Sequence, residues 1–199
     1  FKQKTAYEIL TCDWSSDVCS SDLLRAGHIA PRPGVLRLIR EAGTKGIQLG
    51  IATSTSRANV ETLLDCILDH ATRTAFTAIA TSEIVADKKP APAVYQFCLA
   101  RLGVDPGECV AIEDTANGNL AALACGIATV ITVHEYTRDN NFAGAALVLD
   151  QLGEPDQPCR IMVGNARGRK YVDTGLLRKL IAREVKSVPG ISTAPELTS

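Results

Sequence analysis

The sequence carries no excess charge of either sign: 21 Lys and Arg stand against 22 Asp and Glu, a formal net charge of −1. That balance argues against a nucleic-acid-binding face or a membrane-seeking one. No apolar run approaches the roughly 18 residues needed to span a bilayer. The longest apolar stretches, around Ile127–Val133 and Ala145–Leu149, have the length of buried strands. The seven cysteines (Cys12, Cys19, Cys66, Cys98, Cys109, Cys125 and Cys159) include no C-x-x-C pair. Their number is odd and no signal peptide precedes them, so neither a zinc set nor a disulfide framework is indicated. Reduced, mostly buried thiols in a cytoplasmic protein are expected instead. Neither G-x-G-x-x-G nor G-x-x-x-x-G-K-[ST] occurs, which makes a nucleotide-binding module of another doubly wound type the weakest reading. What is present, 46% hydrophobic and 22% charged residues over 199 positions, is an ordinary globular composition. It excludes a disordered chain, collagen and a coiled-coil rod, and leaves room for one sizeable domain.

Residues 1–23 stand apart. FKQKTAYEILTCDWSSDVCSSDL keeps no helical or strand period, and its Ser/Asp-rich part is longer than most loops. Lys2–Ile9 and Asp13–Leu23 resemble the codon-for-codon translation of a sequencing-library adapter, with Leu10-Thr11-Cys12 where a variable index would fall. The segment is therefore expected to be artefactual, standing in place of a native N-terminal part. Residues 24–186 are expected to form the core and 187–199 a flexible Pro/Ser/Thr-rich tail.

From Leu24 onward the pattern is regular. Val35, Leu36, Leu38, Ile39 and Ala42 recur at helical spacing, closed by Gly43 and Gly46. Ile47–Thr53 suits a buried strand. Ser54-Thr55-Ser56 caps a helix carrying Val60, Leu63, Leu64, Ile67 and Leu68. Phe76–Ala80, Glu108–Ile112, Ala128–Val133 and Ala146–Leu149 read as further strands. Ala91–Leu102, Thr115–Ala124 and a last helix capped by Asp173 or Thr174 and running to about Glu184 read as helices. Strands alternating with helices imply βαβ units, and continuous apolar strands imply a parallel sheet covered on both faces. The fold class is α/β, a doubly wound parallel sheet. In such sheets functional residues gather at the C-terminal ends of the strands.

Three strand ends carry chemistry. Thr53-Ser54 follow the first strand, Lys88-Lys89-Pro90-Ala91-Pro92 come after the second, and Glu113-Asp114 follow the third. A hydroxyl, an ammonium and two carboxylates at one rim suit a phosphoryl group with a divalent metal. Hydroxyl and helix N-terminal amides bind phosphate oxygens. Lysine neutralises charge on the phosphoryl group. Hard carboxylate oxygens hold Mg²⁺, which takes few protein ligands. Each residue also has a plainer role available. Thr53 could be a helix-start hydroxyl, Lys89 a solvated loop lysine, and Glu113-Asp114 a helix cap. His28, His70 and His134 have no partners at ligand spacing and read as surface or core residues. Arg57 and Asn59 read as helix-surface residues, and Arg167, Arg169 and Lys170 as a solvated turn.

Thr53 after an apolar strand, Lys89 in K-P-A-P, and Glu113-Asp114 in VAIEDTANGNLAALACG together resemble motifs two, three and four of the haloacid dehalogenase-like (HAD) phosphatases. The run PRPGVLRLIREA…LGIATSTSRANV…KKPAPAVY…IEDTANG…TVHEYT is similar to the CbbY-like subgroup. The resemblance covers about Leu24 to Leu152. It implies a HAD-like Rossmannoid core and a Mg²⁺-dependent phosphatase acting on a small phosphorylated sugar or similar metabolite. Thr53 would bind the phosphoryl group, assisted by Ser54. Lys89 would pair with that group and with the nucleophilic carboxylate. Asp114 would ligate Mg²⁺, with Glu113 as a further ligand or a partner behind it. Asn117 and Gly118 would open the next helix.

One departure is large. The family's chemistry begins with D-x-D at the end of a first strand, and none occurs upstream of Thr53. Asp13 is the nearest imitation, with Ser15 two residues on. The helical cap domain that the subgroup inserts there is missing too. The chain is therefore expected to be nearly inactive as it stands, a phosphatase by origin. The alternatives are a catalytically dead phosphate- and metal-binding remnant, or a phosphoglucomutase-like isomerase by origin. In this fold the motif-one strand lies between the strands ending at Thr53 and at Glu113. Its loss predicts two unpaired buried edges, hence poor stability or a gap filled by residues such as Tyr7–Cys12.

Overall fold

The apolar spacing read from the sequence reappears as packed elements in the computed structural model, which describes residues 31–184. Helix α1 (Val35–Thr44) buries Val35, Leu38 and Ala42, one stripe of an amphipathic helix. It starts at Gly34, whose φ is 89°. A Cβ there would lie 2.5 Å from the Gly153 carbonyl oxygen and 2.6 Å from the Leu152 Cβ, so only glycine fits. Strand β1 (Leu49–Ala52) leads to helix α2 (Arg57–Ile67), capped by Ser56, whose hydroxyl accepts from the Asn59 amide. A short helix α3 (His70–Arg73) precedes strand β2 (Phe76–Ala80). Helix α4 (Ala93–Leu102) ends at the left-handed Gly103. Strand β3 (Val110–Glu113) starts two residues later than its sequence pattern suggested, because Pro106–Glu108 form a turn of 3₁₀ helix. Helix α5 (Ala116–Ala124) is capped by Thr115. Strands β4 (Ala128–Thr132), β5 (Leu147–Leu149) and β6 (Ile161–Gly164) follow. Helix α6 (Thr174–Glu184) closes the described chain, with the Asp173 carboxylate accepting from the Leu176 amide at 2.6 Å.

The strands pair as two groups. β1 and β2 form a parallel pair, with Ile51 opposite Ile79 and Ala52 opposite Ala80. The other group runs β3-β4-β5-β6, with the first three parallel. Helices cover both faces, as a doubly wound sheet requires. On one side Val35 and Leu38 of α1 and Leu176 and Leu180 of α6 pack on Val130, Leu147 and Leu149. On that side, too, α2 packs its Val60 and Leu64 on Ile51. On the other side Val94, Tyr95 and Cys98 of α4 and Ala121 and Ala122 of α5 pack on Ala78, Ala80 and Ala111.

The two open edges expected from the loss of the motif-one strand are present: β1 and β3 pair neither with each other nor with a strand between them among the described residues. Three expectations need correction. β6 went unrecognised: it is antiparallel to β5, and all four of its residues are exposed, so it shows no apolar-in, polar-out alternation. Asn59 is not a surface residue. It is buried, and its side-chain amide donates to the Thr55 hydroxyl. The thiols are not mostly buried: of the described cysteines only Cys98 is, Cys66 is exposed and three are half-buried, all free. Cys12, Cys19, His28 and the suggested gap-filler Tyr7–Cys12 lie outside the described residues. Among the described residues no helix is long and apolar enough to cross a membrane.

Candidate active site

The C-terminal ends of β1 and β3 are joined by one side chain. Lys89 comes from the loop after β2, and its ammonium donates to the Ala52 carbonyl at the end of β1 (2.9 Å) and to Glu113 Oε1 at the end of β3 (2.5 Å). Only 5% of its side chain is exposed, and 1% of that of Glu113. Lys89 is therefore not a solvated loop lysine; its exposed neighbour Lys88 is. The reason is geometric. The loop returns from β2 across the rim, and the turn opening α4 drops Lys89 between the two strand ends. In such a place an unpaired ammonium would be costly, so it is held by two oxygens.

Glu113 has a further partner. The Tyr95 hydroxyl, one turn into α4, donates to the same Oε1. The Lys89 ammonium also lies 5.2 Å from the centre of the Tyr95 ring. Burial dominates at Glu113 and raises its carboxyl above the ordinary value. Lys89 opposes this shift and the adjoining Asp114 adds to it. Burial, and then the charge of Glu113, push the Tyr95 phenol well up, so it remains a proton donor. On its far side the carboxylate lies against the first turn of α5. A Cβ on Gly118 would come within 1.9 Å of Glu113 Oε2, so this glycine makes the space for the carboxylate.

Thr53 and Asp114 occupy the positions just beyond these strand ends, and both are fully buried. The Thr53 amide donates to Ala80 O, and its hydroxyl accepts from the Thr55 amide at 3.2 Å. The half-buried Ser54 lies between them. Thr115, not Glu113 or Asp114, caps α5. His134, read from the sequence as a surface or core residue, follows β4 on the same rim. Its Nε2 lies 3.6 Å from Asp114 Oδ2. Its Nδ1 accepts from the Tyr136 amide, so the proton of the neutral ring belongs on Nε2, facing Asp114.

Thus Lys89, Glu113 and the end of β1 are in direct contact, with Thr53, Ser54 and Asp114 adjoining them in sequence. Tyr95 and His134 were missed. Both had a signal. Tyr95 puts a hydroxyl on the otherwise apolar face of a helix that opens right after the lysine loop, and His134 follows a strand that runs to the same rim. Arg57 pairs with Glu61 on the exposed side of α2, and Arg169 pairs with Asp173, consistent with plain surface roles. Among the described residues no group of three or more His, Cys, Asp or Glu is placed to hold a metal. Mg²⁺ does not require one, since it takes one or two carboxylates and completes its shell with water and phosphate. Asp114, buried at a strand end beside Glu113, fits that modest donor set.

Residues 8–126 match the family model of haloacid dehalogenase-like hydrolases. The plasmid-encoded protein CbbY of Cupriavidus necator is 46% identical over 153 residues, which make up 77% of this chain and 60% of that protein. Hexitol phosphatase B of Escherichia coli is 34% identical over 123 residues, 61% of this chain and 54% of that protein. The crystal structure of CbbY from Rhodobacter sphaeroides in complex with phosphate superposes with a TM-score of 0.63 at 43% identity, over 66% of this chain and 58% of that one. A mutant of the same protein, in complex with xylulose-(1,5)bisphosphate, matches equally well. The chain spans three fifths or less of the length of these curated relatives.

Proposed function

This chain belongs to the haloacid dehalogenase-like hydrolases, and from that premise we propose that its Lys89 rim receives the phosphoryl group of a small phosphorylated sugar beside Mg²⁺, as in a phosphoric monoester hydrolase. The observation that carries this reading is the buried Lys89 ammonium fixed between the ends of β1 and β3. A cation held there, with a threonine hydroxyl on one side and carboxylates on the other, is an arrangement for a dianionic ligand in a place of low dielectric. Two relatives support the substrate class: hexitol phosphatase B by its name, and the Rhodobacter protein by the bisphosphate it was crystallised with.

In this reading Thr53 and Ser54 donate to phosphoryl oxygens from the turn that opens α2. Lys89 places its charge against the same oxygens, and Glu113 and Tyr95 fix where that charge sits. Asp114, with Glu113 as the second carboxylate, would hold Mg²⁺, which when bound neutralises charge on the phosphoryl group. His134 keeps a proton directed at Asp114. The 199 residues contain no D-x-D. Without a carboxylate nucleophile and its acid/base partner, hydrolysis is expected to fall by several powers of ten. The chain then binds phosphate and metal with little turnover, in the cytoplasm.

Calorimetry with Mg²⁺ plus inorganic phosphate tests the binding. Heat is expected from the unchanged chain and none from Lys89→Met. No heat beyond dilution from the unchanged chain rejects the reading. Hydrolysis of p-nitrophenyl phosphate with Mg²⁺ tests the chemistry. Rates near background are expected, and turnover abolished by Lys89→Met would show that the chain supplies its own nucleophile.

A further inference from the structure

Two parallel strands bring an imidazole over the carboxylate assigned to Mg²⁺. Side chains alternate between the two faces of a strand. On β3, Ile112 packs on the α1 side and Glu113 meets Tyr95 of α4 on the other, so Asp114 returns to the α1 side. On β4, Val130 packs on the α1 side, so Thr132 and His134 follow it there. Glu113 stands opposite Ile131, which carries Asp114 level with Thr132 and leaves His134 just beyond. The result is the 3.6 Å approach of His134 Nε2 to Asp114 Oδ2, with 16% of the histidine side chain exposed and none of the aspartate. The imidazole is braced from behind. The Val133 amide donates to Leu149 O, and the Val133 carbonyl accepts from Arg32. The His134 amide donates to the Thr137 hydroxyl, the Thr137 amide donates back to His134 O, and the Tyr136 amide donates to Nδ1. The Tyr136 ring meets the imidazole edge-on, with 5.8 Å between ring centres. Because Nδ1 is engaged as an acceptor, the neutral ring offers its proton from Nε2, and that atom is buried and makes no hydrogen bond among the described residues. A buried donor without an acceptor is costly, and Asp114 Oδ2 stands about 0.7 Å beyond an ordinary N–H···O separation from it.

We propose, resting on the Mg²⁺ reading of Asp114, that His134 is a positioning residue for the metal: its Nε2–H closes on Asp114 Oδ2 and turns the other carboxylate oxygen, Oδ1, to Mg²⁺. The two neighbouring carboxylates are held in different ways, and the difference supports this. Glu113 Oε1 accepts from the Lys89 ammonium and from the Tyr95 hydroxyl. Lys89 already offsets the charge of Glu113, so a second cation gains less there. A neutral imidazole donates a hydrogen bond and adds no charge. Asp114 therefore keeps its full attraction for a cation while its orientation is fixed. Hydrogen bonds of this kind, from groups behind a metal ligand, orient the ligand and set the affinity of the site. Asp114 is then the leading ligand and Glu113 the lesser one. A lysine at position 134 would orient the carboxylate too, but would compete with the metal for its charge. A phenylalanine would fill the same space and orient nothing.

Calorimetry of the full 199-residue chain with Mg²⁺, at saturating inorganic phosphate, tests the proposal. His134→Phe, which keeps a flat ring and loses the donor, should weaken Mg²⁺ binding by about 10–100-fold. His134→Gln, whose amide nitrogen reaches close to the place of Nε2, should recover most of that loss. The two variants should melt alike in EDTA, so that Mg²⁺ affinity and not support of the fold separates them. Nitrogen-15 resonances of the His134 ring in the unchanged chain give a reading that needs no variant. Nε2 should carry the proton and Nδ1 none, and the Nε2–H proton should move downfield as Mg²⁺ is added. Mg²⁺ bound as tightly by His134→Phe as by the parent overturns the inference and leaves the metal reading standing. A proton on Nδ1, or ring resonances that Mg²⁺ does not move, overturns it as well, even if His134→Phe fails to fold. Lost affinity that His134→Gln does not recover, matched by lower melting in EDTA, assigns His134 to the fold alone and also overturns it. No Mg²⁺ heat from the unchanged chain removes the metal reading itself, and this inference with it.

Discussion

Replacing Lys89 by methionine removes a charge from the rim with little change in shape. The pair it breaks is buried on both sides, with 5% of Lys89 and 1% of Glu113 exposed, so solvent screening does not soften the loss. Removing one partner of such a pair costs about 3–5 kcal/mol, because the other charge stays behind uncompensated. The Ala52 carbonyl also loses its donor, at about 1 kcal/mol. The cost should depend on pH in a defined sense. Burial already holds the Glu113 carboxyl above its ordinary value, and Lys89 is the main influence opposing that shift. Without Lys89 the folded state takes up a proton at still higher pH, so the variant gains stability relative to the parent as pH falls. Urea unfolding of parent and Lys89→Met at pH 7.5 and pH 5.5 reads both effects. At pH 7.5 a loss of about 4 kcal/mol moves the midpoint down by about 2 M. The difference should shrink at pH 5.5, and Lys89→Met/Glu113→Gln should recover most of it at both pH values. A loss below about 0.5 kcal/mol at pH 7.5, the range of a solvated surface lysine, would refute the reasoning.

Gly118→Ala forces a methyl to within 1.9 Å of the Glu113 carboxylate, whereas the same change at Gly107 meets nothing within 4 Å. The first should lower stability by about 1–3 kcal/mol and abolish phosphate and Mg²⁺ binding; the second should do neither, as thermal melts and calorimetry will show. Glu41 joins α1 to α6 by accepting from Lys45 and from Thr174. Partial burial alone would raise its carboxyl, and the Lys45 and Thr174 bonds outweigh that and lower it. The stability it contributes is present above the usual carboxylate pKa and is lost as pH falls through the lowered one, so melting curves of Glu41→Gln should depend less on pH in acid. Alkylation followed by peptide mapping should find Cys66 modified well before Cys98, whose thiol burial pushes up to about 11.

Much of the fold was written in local pattern. The 3.6-residue stripe of Val35, Leu38 and Ala42, the hydroxyl caps at Ser56 and Thr115, and Gly103 past the end of α4 are short-range signals, and each element they announced is present within a few residues. β6 was invisible for the opposite reason. Its residues are held by backbone pairing to β5 alone, so no buried face imposed an alternation. The delayed start of β3 belongs to Pro106, whose fixed φ suits a tight turn more than a strand.

The sequence by itself determined which chemistry is present: a hydroxyl, an ammonium and two carboxylates, each just beyond an apolar strand, because strand order and strand ends follow from the period of the chain. Only the tertiary structure decided which of these groups touch. That Lys89 grips Glu113 rather than water, that Tyr95 shares the same oxygen and that His134 faces Asp114 depend on residues brought together from 18 to 37 positions apart, and the open slot lies between strands still further apart in the chain. Such contacts are set by how helices and loops close over a sheet, and local spacing carries no record of them.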